Sequence, residues 1–203
     1  MMIPLDSSIK NKYRESVNNT IAARYRFVCL AAILLTMSFN IILDRVVYPE
    51  HSNLFLKIRL STCFLAFLTV IPSFFGIYKR YALIFLSLGG LSLSFGFSLM
   101  TYFSDGTSSQ YFNGVDLVMI GLGAVNAFVY QVNVVVTTVQ IVSYDVLALA
   151  SPAPMNLSSF IFANIFMIST AFLIIVMGKF SGEQHYQAFI KTEQLALIAR
   201  RDP

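Results

Sequence analysis

The chain has few charged residues. Only 12% of its 203 residues are Asp, Glu, Lys or Arg, whereas about a quarter is typical of soluble domains. It has no tryptophan and two cysteines, Cys29 and Cys63, which lie in apolar runs where a thiol packs as a small hydrophobic group. Its 14 basic and 10 acidic residues give a net charge of +4, without a long basic run. These features exclude a soluble enzyme, a disordered region, a disulfide scaffold and a nucleic-acid-binding protein.

Hydrophobic residues make up 57% of the chain, and the mean hydropathy is +0.71. A 22.7 kDa chain cannot enclose that much apolar surface, so the composition predicts an integral membrane protein. We expect an all-α, polytopic fold, because backbone groups in lipid must bond within helices or closed barrels and these apolar runs are continuous. The predicted spans are six: Phe27–Leu43, Leu60–Tyr78, Tyr81–Met100, Val115–Tyr130, Val132–Ala150 and Leu157–Gly178. The fourth run is short, and near Gln131 it could fuse with the fifth.

Three regions follow from this pattern. We expect a polar N-terminal segment that is not a cleaved signal peptide (1–26), a six-helix transmembrane domain (27–178) and a linker helix (179–203). A tight turn at Lys79–Arg80 should join the second and third spans. With both ends inside, eleven basic residues lie on the cytoplasmic side and three, Arg45, Lys57 and Arg59, lie outside. Because basic residues favour the cytoplasmic side, both termini are predicted to be cytoplasmic.

Polar side chains recur on one face of the fourth and fifth predicted spans. The fourth carries Asp116, Met119, Gly123, Asn126 and Tyr130, and the fifth carries Asn133, Thr137, Gln140 and Tyr144, with Asp145 beside them. A carboxylate in hydrocarbon costs about 2.5–3.5 kcal/mol, so it usually faces a cavity or a partner. We predict a ligand pocket that opens outward, with candidate residues Asp116, Asn126, Gln140, Tyr144, Asp145 and Asn164. The alternative is simple hydrogen bonding between helices.

Catalytic and metal-binding patterns are not recognisable in the sequence. His51 and His185 lie outside the predicted spans, and no Cys/His cluster, phosphate-binding glycine loop or hydrolase motif occurs. We therefore expect no cofactor, no metal site and no active site in this chain.

The segment after Gly178 reads as a polar helix with sparse apolar residues. Two weak heptad-like registers coexist in it, one through Tyr186, Ile190 and Leu197 and the other through Phe189. A weak, ambiguous seam suits a parallel homodimer that changes register, which is a plausible signalling element. The alternative is a solvated connector helix.

The last residues, Ala199-Arg-Arg-Asp202-Pro203, resemble the start of a GGDEF (diguanylate cyclase) domain, which typically continues Leu-Thr-Gly-Leu. The loop with Asp44, Pro49 and Arg59 is similar to that of the six-helix (MASE-like) sensor modules that precede such cyclases. The resemblance implies the membrane sensor half of a bacterial inner-membrane protein that joins two GTP molecules into cyclic di-GMP. Mg and GTP are then implied only for an output domain outside residues 1–203.

Within that resemblance, Asp44 and Arg59 are expected to pair across the outer ends of the first two spans. Asp202 and Pro203 would mark the end of the signalling linker. The expected partners are the lipid bilayer, a second copy of the chain and a small or lipidic ligand.

Other functions fit the same residues. A small transporter or channel could use the polar seam of the fourth and fifth spans as its path, although no internal repeat is evident. A passive membrane anchor is a third possibility. A class III adenylyl cyclase or a histidine kinase could follow the same linker in place of a diguanylate cyclase.

Overall fold

The computed structural model describes residues 7–39, 44–75, 78–126 and 129–199, and every regular element within these ranges is helical. The all-α prediction is therefore confirmed for the described part of the chain. The helices are α1 (Ser7–Phe39), the one-turn α2 (Arg45–Val47), α3 (Ser52–Val70), α4 (Tyr78–Phe103), α5 (Phe112–Val125), α6 (Tyr130–Ala150) and α7 (Leu157–Ala199), with 3-10 turns at Ile71–Phe74 and Gly106–Ser108.

Within the described ranges, five helical segments are long and apolar enough to cross a membrane, namely Asn11–Phe39, Ser52–Phe74, Tyr81–Phe103, Tyr130–Ala150 and Leu157–Ala196. The apolar helix α5 has only 14 residues, or about 21 Å, which is shorter than the roughly 30 Å of bilayer hydrocarbon. Large apolar side chains point outward from these helices, among them Phe27 and Phe172, which are 77% and 65% exposed. The helices and their apolar outer surface indicate a membrane protein.

Two predicted span ends are wrong. Tyr130 begins α6 and does not end the fourth span, because α5 stops at Val125. Tyr78 does not end the second span, because α3 stops at Val70 and a 3-10 turn with Pro72, which lacks a backbone N–H, follows it. Lys79–Arg80 lies in a short helical stretch that a kink at Tyr81 separates from the rest of α4, so the third apolar span begins at Tyr81, as predicted.

Helix α4 is the centre of the bundle, since it packs against α1, α3, α5 and α6. Small residues allow these close approaches. A Cβ atom on Gly96 would lie 2.8 Å from the Thr62 hydroxyl of α3, and one on Gly90 would lie 2.2 Å from the Leu122 side chain of α5. Cys29 and Cys63 are buried and unbridged, as their apolar surroundings in the sequence predicted.

One end of the bundle, here called the loop end, holds residues 44–51, 104–111 and 151–156. The hydroxyl of Ser151 donates to the Tyr102 carbonyl at 2.9 Å, and the backbone N–H of Asn156 donates to the Thr107 hydroxyl at 2.8 Å. Gly106, with φ +55°, supplies a backbone conformation that favours glycine in this turn. These bonds fasten the connecting segments to one another.

At the opposite end, here called the tail end, α1 and α7 extend beyond the other helices. Helix α7 has 43 residues, or about 64 Å, and α1 has 33 residues, or about 50 Å. Both exceed the roughly 20 residues that a bilayer requires. Each therefore combines an apolar part within the bundle with a polar extension.

Candidate functional site

The polar seams of α5 and α6 lie inside a group of four helices. Each of these two helices packs more extensively against α4 and α7 than against the other. Helices α5 and α6 also contact each other directly, and their buried polar side chains lie in an interior that α4 and α7 complete.

Four of the six candidate ligand-binding residues are buried there. Asn126 and Tyr144 are 0% exposed, Gln140 is 1% exposed and Asp116 is 4% exposed. None of their side-chain polar atoms has a hydrogen-bond partner in the described part of the chain, and the same holds for the Ser94 hydroxyl. A buried polar group without a partner costs about 1–3 kcal/mol. Several such groups together lower the stability of this interior, and binding sites are often less stable than the rest of a protein.

The remaining two candidates, Asp145 and Asn164, form a separate pair between α6 and α7. The Asn164 amide donates to Asp145 Oδ1 at 3.0 Å, and both residues are half-buried. The Asp116 carboxylate instead lies near the Thr170 hydroxyl, without meeting hydrogen-bond geometry. Thr170 follows Asn164 by six residues, or about 9 Å along α7. The two carboxylates thus have different partners at different depths.

This interior suits recognition of a small polar group. A carboxyl, two amides, a phenol and a hydroxyl supply hydrogen-bond donors and acceptors in a water-poor surrounding, where such bonds are strong. Among the described residues, no group of three or more His, Cys, Asp or Glu side chains could hold a metal ion.

A second polar centre, buried at the loop end, joins Arg59 and Asp44. Arg59 donates through Nε to Asp44 Oδ2 at 2.8 Å and through Nη2 to Asp44 Oδ1 at 2.9 Å, and both side chains are 0% exposed. Arg59 Nη1 also donates to the Thr36 carbonyl of α1 at 3.0 Å. The Tyr111 hydroxyl donates to Asp44 Oδ1 at 2.7 Å. The predicted pair is thus present, as part of a larger network that joins α1, α3 and the start of α5.

Aromatic rings cover this network. Tyr48 stacks on Tyr111 with ring centroids 5.7 Å apart, and Phe55 meets Tyr111 edge to face at 5.4 Å. The Tyr48 hydroxyl donates to Asp105 Oδ2 at 2.7 Å. Burial and, next, the Asp105 carboxylate raise the pKa of Tyr48 to about 12. Burial and the hydrogen bond to Asp44 likewise raise the pKa of Tyr111. Both effects favour the neutral phenol, which donates these bonds.

The polar extensions of α1 and α7 contact each other at the tail end. The Tyr13 ring packs against His185, Tyr186 and Phe189, with centroid distances of 5.7, 5.2 and 5.4 Å. Lys12 Nζ lies 3.2 Å from Glu193 Oε2 in an exposed ion pair, a type of pair that contributes little stability. We call Tyr13 and its three ring partners the tail clamp.

The tail clamp contains two of the predicted linker residues. Tyr186 and Phe189, from the two different heptad-like registers, face the same tyrosine of the same chain. Ile190 is half-buried. Leu197 lies in α7, while Asp202 and Pro203 fall outside the described residues. The extension of α7 therefore has a partner within the chain, which the sequence pattern did not reveal.

No protein-family model matches the chain, and neither a curated protein nor a solved structure is significantly similar to it.

Loss of the buried Arg59 charge should destabilise the protein strongly. Arg59→Met leaves Asp44 buried without its counter-charge, which should lower the free energy of unfolding by about 3–5 kcal/mol. The double variant Asp44→Asn/Arg59→Met should recover most of that loss, because Tyr111 can still donate to the side-chain oxygen of the asparagine that replaces the aspartate. Thermal unfolding of the purified proteins in detergent micelles measures both. Equal destabilisation in the single and double variants would contradict the pairing.

Tyr48 should titrate at a lower pH when Asp105 is neutralised. The carboxylate disfavours the tyrosinate, so Asp105→Asn should move the Tyr48 pKa from about 12 towards its ordinary value. Because the folded-state pKa is raised, the stabilising effect is complete below the unfolded pKa of about 10 and is lost as pH rises through the folded value. The ultraviolet difference spectrum between each protein and its Tyr48→Phe derivative isolates this titration. An unchanged midpoint in Asp105→Asn would refute the contact.

Gln140→Leu should stabilise the protein. It removes two buried amide atoms that have no partner in the described chain, so the free energy of unfolding should rise by about 1 kcal/mol or more. Thr137→Val is a matched control one turn away, because its hydroxyl already donates to the Asn133 carbonyl at 2.7 Å. Unfolding in micelles measures the difference. Strong destabilisation by Gln140→Leu alone would mean that the amide is satisfied in the native protein.

Proposed function

We propose that this chain is the membrane-embedded sensor module of a bacterial signalling protein whose cytoplasmic output is a diguanylate cyclase. In this proposal six helices cross the inner membrane, both ends are cytoplasmic, and two copies associate so that two output domains meet. The tail end is the cytoplasmic end and the loop end faces the periplasm. The output assignment depends on the resemblance of the final five residues to the start of a GGDEF domain.

The observation that carries the proposal is the unbroken helix α7. It runs from Leu157, beside the loop end, to Ala199, and so joins the bundle to the start of the expected output domain in one element. A helix transmits rotation or translation along its length without an intervening loop. Movement of α7 within the bundle would therefore reach the segment that follows residue 199.

The tail clamp is the set of contacts that movement of α7 would have to break. Tyr13 holds the α7 extension through ring contacts, each worth about 0.5–1.5 kcal/mol beyond its buried area. A total of a few kcal/mol suits an equilibrium between a clamped and a released arrangement. A signal shifts such an equilibrium only by its difference in affinity for the two states.

The polar interior favours one alternative, a small transporter. Asp116, Gln140 and Asn126 have unpartnered polar atoms within the four helices, as a substrate path would require. Against this alternative, the acidic side chains of α5 and α6 are Asp116 and Asp145 only, and Asp145 is already bonded to Asn164. A binding site for a stimulus would also account for the buried polar atoms without partners.

The rotational phase of the last part of α7 should control the activity of the output domain. One alanine inserted after Gln194, beyond the tail clamp, rotates everything that follows by about 100°, whereas seven inserted residues restore nearly the same face. In the full-length protein expressed in bacteria, the single insertion should change cellular cyclic di-GMP about tenfold or more, and the seven-residue insertion should restore the parental level.

The coding sequence after residue 203 is the first check on this proposal. A GGDEF domain there is expected, and its absence would contradict the assigned output. If the domain is present and both insertions leave cyclic di-GMP unchanged, the chain is a passive anchor. Glu193→Gln is a suitable control, because it removes only the exposed ion pair with Lys12 and should alter cyclic di-GMP little.

A further inference from the structure

A cleft of about 590 Å³ opens at the loop end, between the 3-10 turn at Gly106–Ser108, the start of α5 and the start of α7. Its volume is within the range of small-molecule sites, roughly 300–1,000 Å³. None of the six candidate ligand-binding residues lines this cleft, so it is distinct from the polar interior. It is here called the loop-end cleft.

The lining combines hydrogen-bonding side chains with aromatic rings. Of its nine described residues, five carry hydroxyl groups, Gln110 and Asn113 carry amides, and Phe112 and Phe162 carry phenyl rings. Hydroxyls and amides both donate and accept hydrogen bonds. The two rings meet edge to face with centroids 6.1 Å apart, and Phe162 is 60% exposed. A hydrocarbon chain does not suit a wall in which seven of nine residues are polar.

The cleft also lacks groups that balance a charged ligand. None of its nine described lining residues has an ionisable side chain. Helix N-termini can bind anions, but N–H groups at these two starts already bond within the chain. The Ser159 N–H donates to Asn156 Oδ1 at 3.2 Å, and the Asn113 N–H donates to the Gln110 carbonyl at 3.1 Å. An ion, including a lipid phosphate, would lose water here without gaining a counter-charge.

We propose that the loop-end cleft binds an uncharged saccharide. A pyranose ring has hydroxyl groups around its edge and C–H bonds on its faces. The hydroxyl groups match the amides and hydroxyls of the lining, and the C–H bonds match the phenyl rings, whose faces carry partial negative charge. A free sugar and the glycosyl head group of a lipid share this chemistry.

A saccharide in the cleft would act directly on α7. It would bridge Gln110 and Asn113, at the start of α5, to Ser159 and Phe162 of α7. In the proposed function, on which this consequence rests, such a bridge favours one position of α7. Binding itself needs no output domain, so its failure is separable from a failure of the cyclic di-GMP assay.

The chain has no tryptophan, which permits a direct binding assay. Phe162→Trp introduces a single indole into the cleft, and the exposure of Phe162 leaves room for the larger ring. Phe172→Trp is the matched control, because Phe172 lies on the same helix, is 65% exposed and does not line the cleft. Phosphatidylcholine bicelles hold the chain and add no tryptophan of their own.

The titration uses three uncharged probes, glucose, N-acetylglucosamine and maltose, and two anionic ones, glucose 6-phosphate and glucuronate. At least one uncharged probe should saturably change the emission of Phe162→Trp but not that of Phe172→Trp. Adding Gln110→Leu should weaken this binding about tenfold, equivalent to about 1.4 kcal/mol. The leucine retains the backbone carbonyl that bonds Asn113, so the loop should keep its form. Gln131→Leu, at an exposed glutamine near the start of α6, should leave the binding unchanged.

Two further measurements complete the test. Saturation-transfer nuclear magnetic resonance with the same probes on the unaltered chain does not depend on whether a variant folds. Glucosyl diacylglycerol in the bicelles decides between the two sources. Competition with the free sugar would identify a lipid head group, and lack of competition would identify a free sugar.

Three results would overturn the proposal. If no uncharged probe gives either a saturable emission change or saturation transfer, the cleft does not bind a saccharide. Equal or stronger binding of the anionic probes would contradict an uncharged ligand. An equal response of Phe172→Trp would mean that the sugars act on the bilayer and not on the cleft.

Discussion

The buried bond between Arg59 and Asp44 is the constraint on which the rest of the bundle depends. A guanidinium and a carboxylate, both 0% exposed, remain charged in apolar surroundings only when they satisfy each other. That requirement draws the segment after α1 onto α3, and the bonds to Thr36 and Tyr111 extend it to α1 and the start of α5. The loop end is thereby fixed in one arrangement.

The tail end has contacts of a weaker kind. The described contacts between α1 and α7 there include ring contacts of Tyr13 and an exposed ion pair of Lys12 with Glu193. Ring contacts of this kind are easily exchanged, and an exposed pair adds little. In the proposed function, movement would occur at this weakly clamped end. The difference between the ends is the reason why the proposal assigns the signal to α1 and α7.

The interior between α4 and α7 contains Asp116, Gln140 and other buried polar groups without hydrogen-bond partners in the described part of the chain. In the proposed function, a small polar stimulus would bind to these groups. Helices α5 and α6 supply most of them, and α4 and α7 pack against both helices.

Much of the fold could be predicted from the sequence, because the length and continuity of the apolar runs determine which segments become helices. Helix ends were less predictable: Pro72 ends α3 early, and the turn after Asn126 assigns Tyr130 to α6. The burial of Gln140 and Tyr144 follows from their spacing on one face, but the partner helices do not, since α5 and α6 are neighbours in sequence and meet mainly through α4 and α7. The contributions of Tyr111 and Tyr13 required the tertiary structure, because each acts on a residue far away in the chain.

The most direct test of this account is a distance measurement at both ends of the bundle. Spin labels at Asn11 and Gln187 report on the extensions of α1 and α7, and labels at His51 and Ser108 report on the loop end; all four positions are exposed. With Cys29 and Cys63 replaced by serine, pulsed electron resonance on the full-length protein in nanodiscs gives each distance distribution. The account predicts two populations at the tail end and one narrow population at the loop end. A single narrow distance at both ends would contradict a moving tail and leave a static anchor.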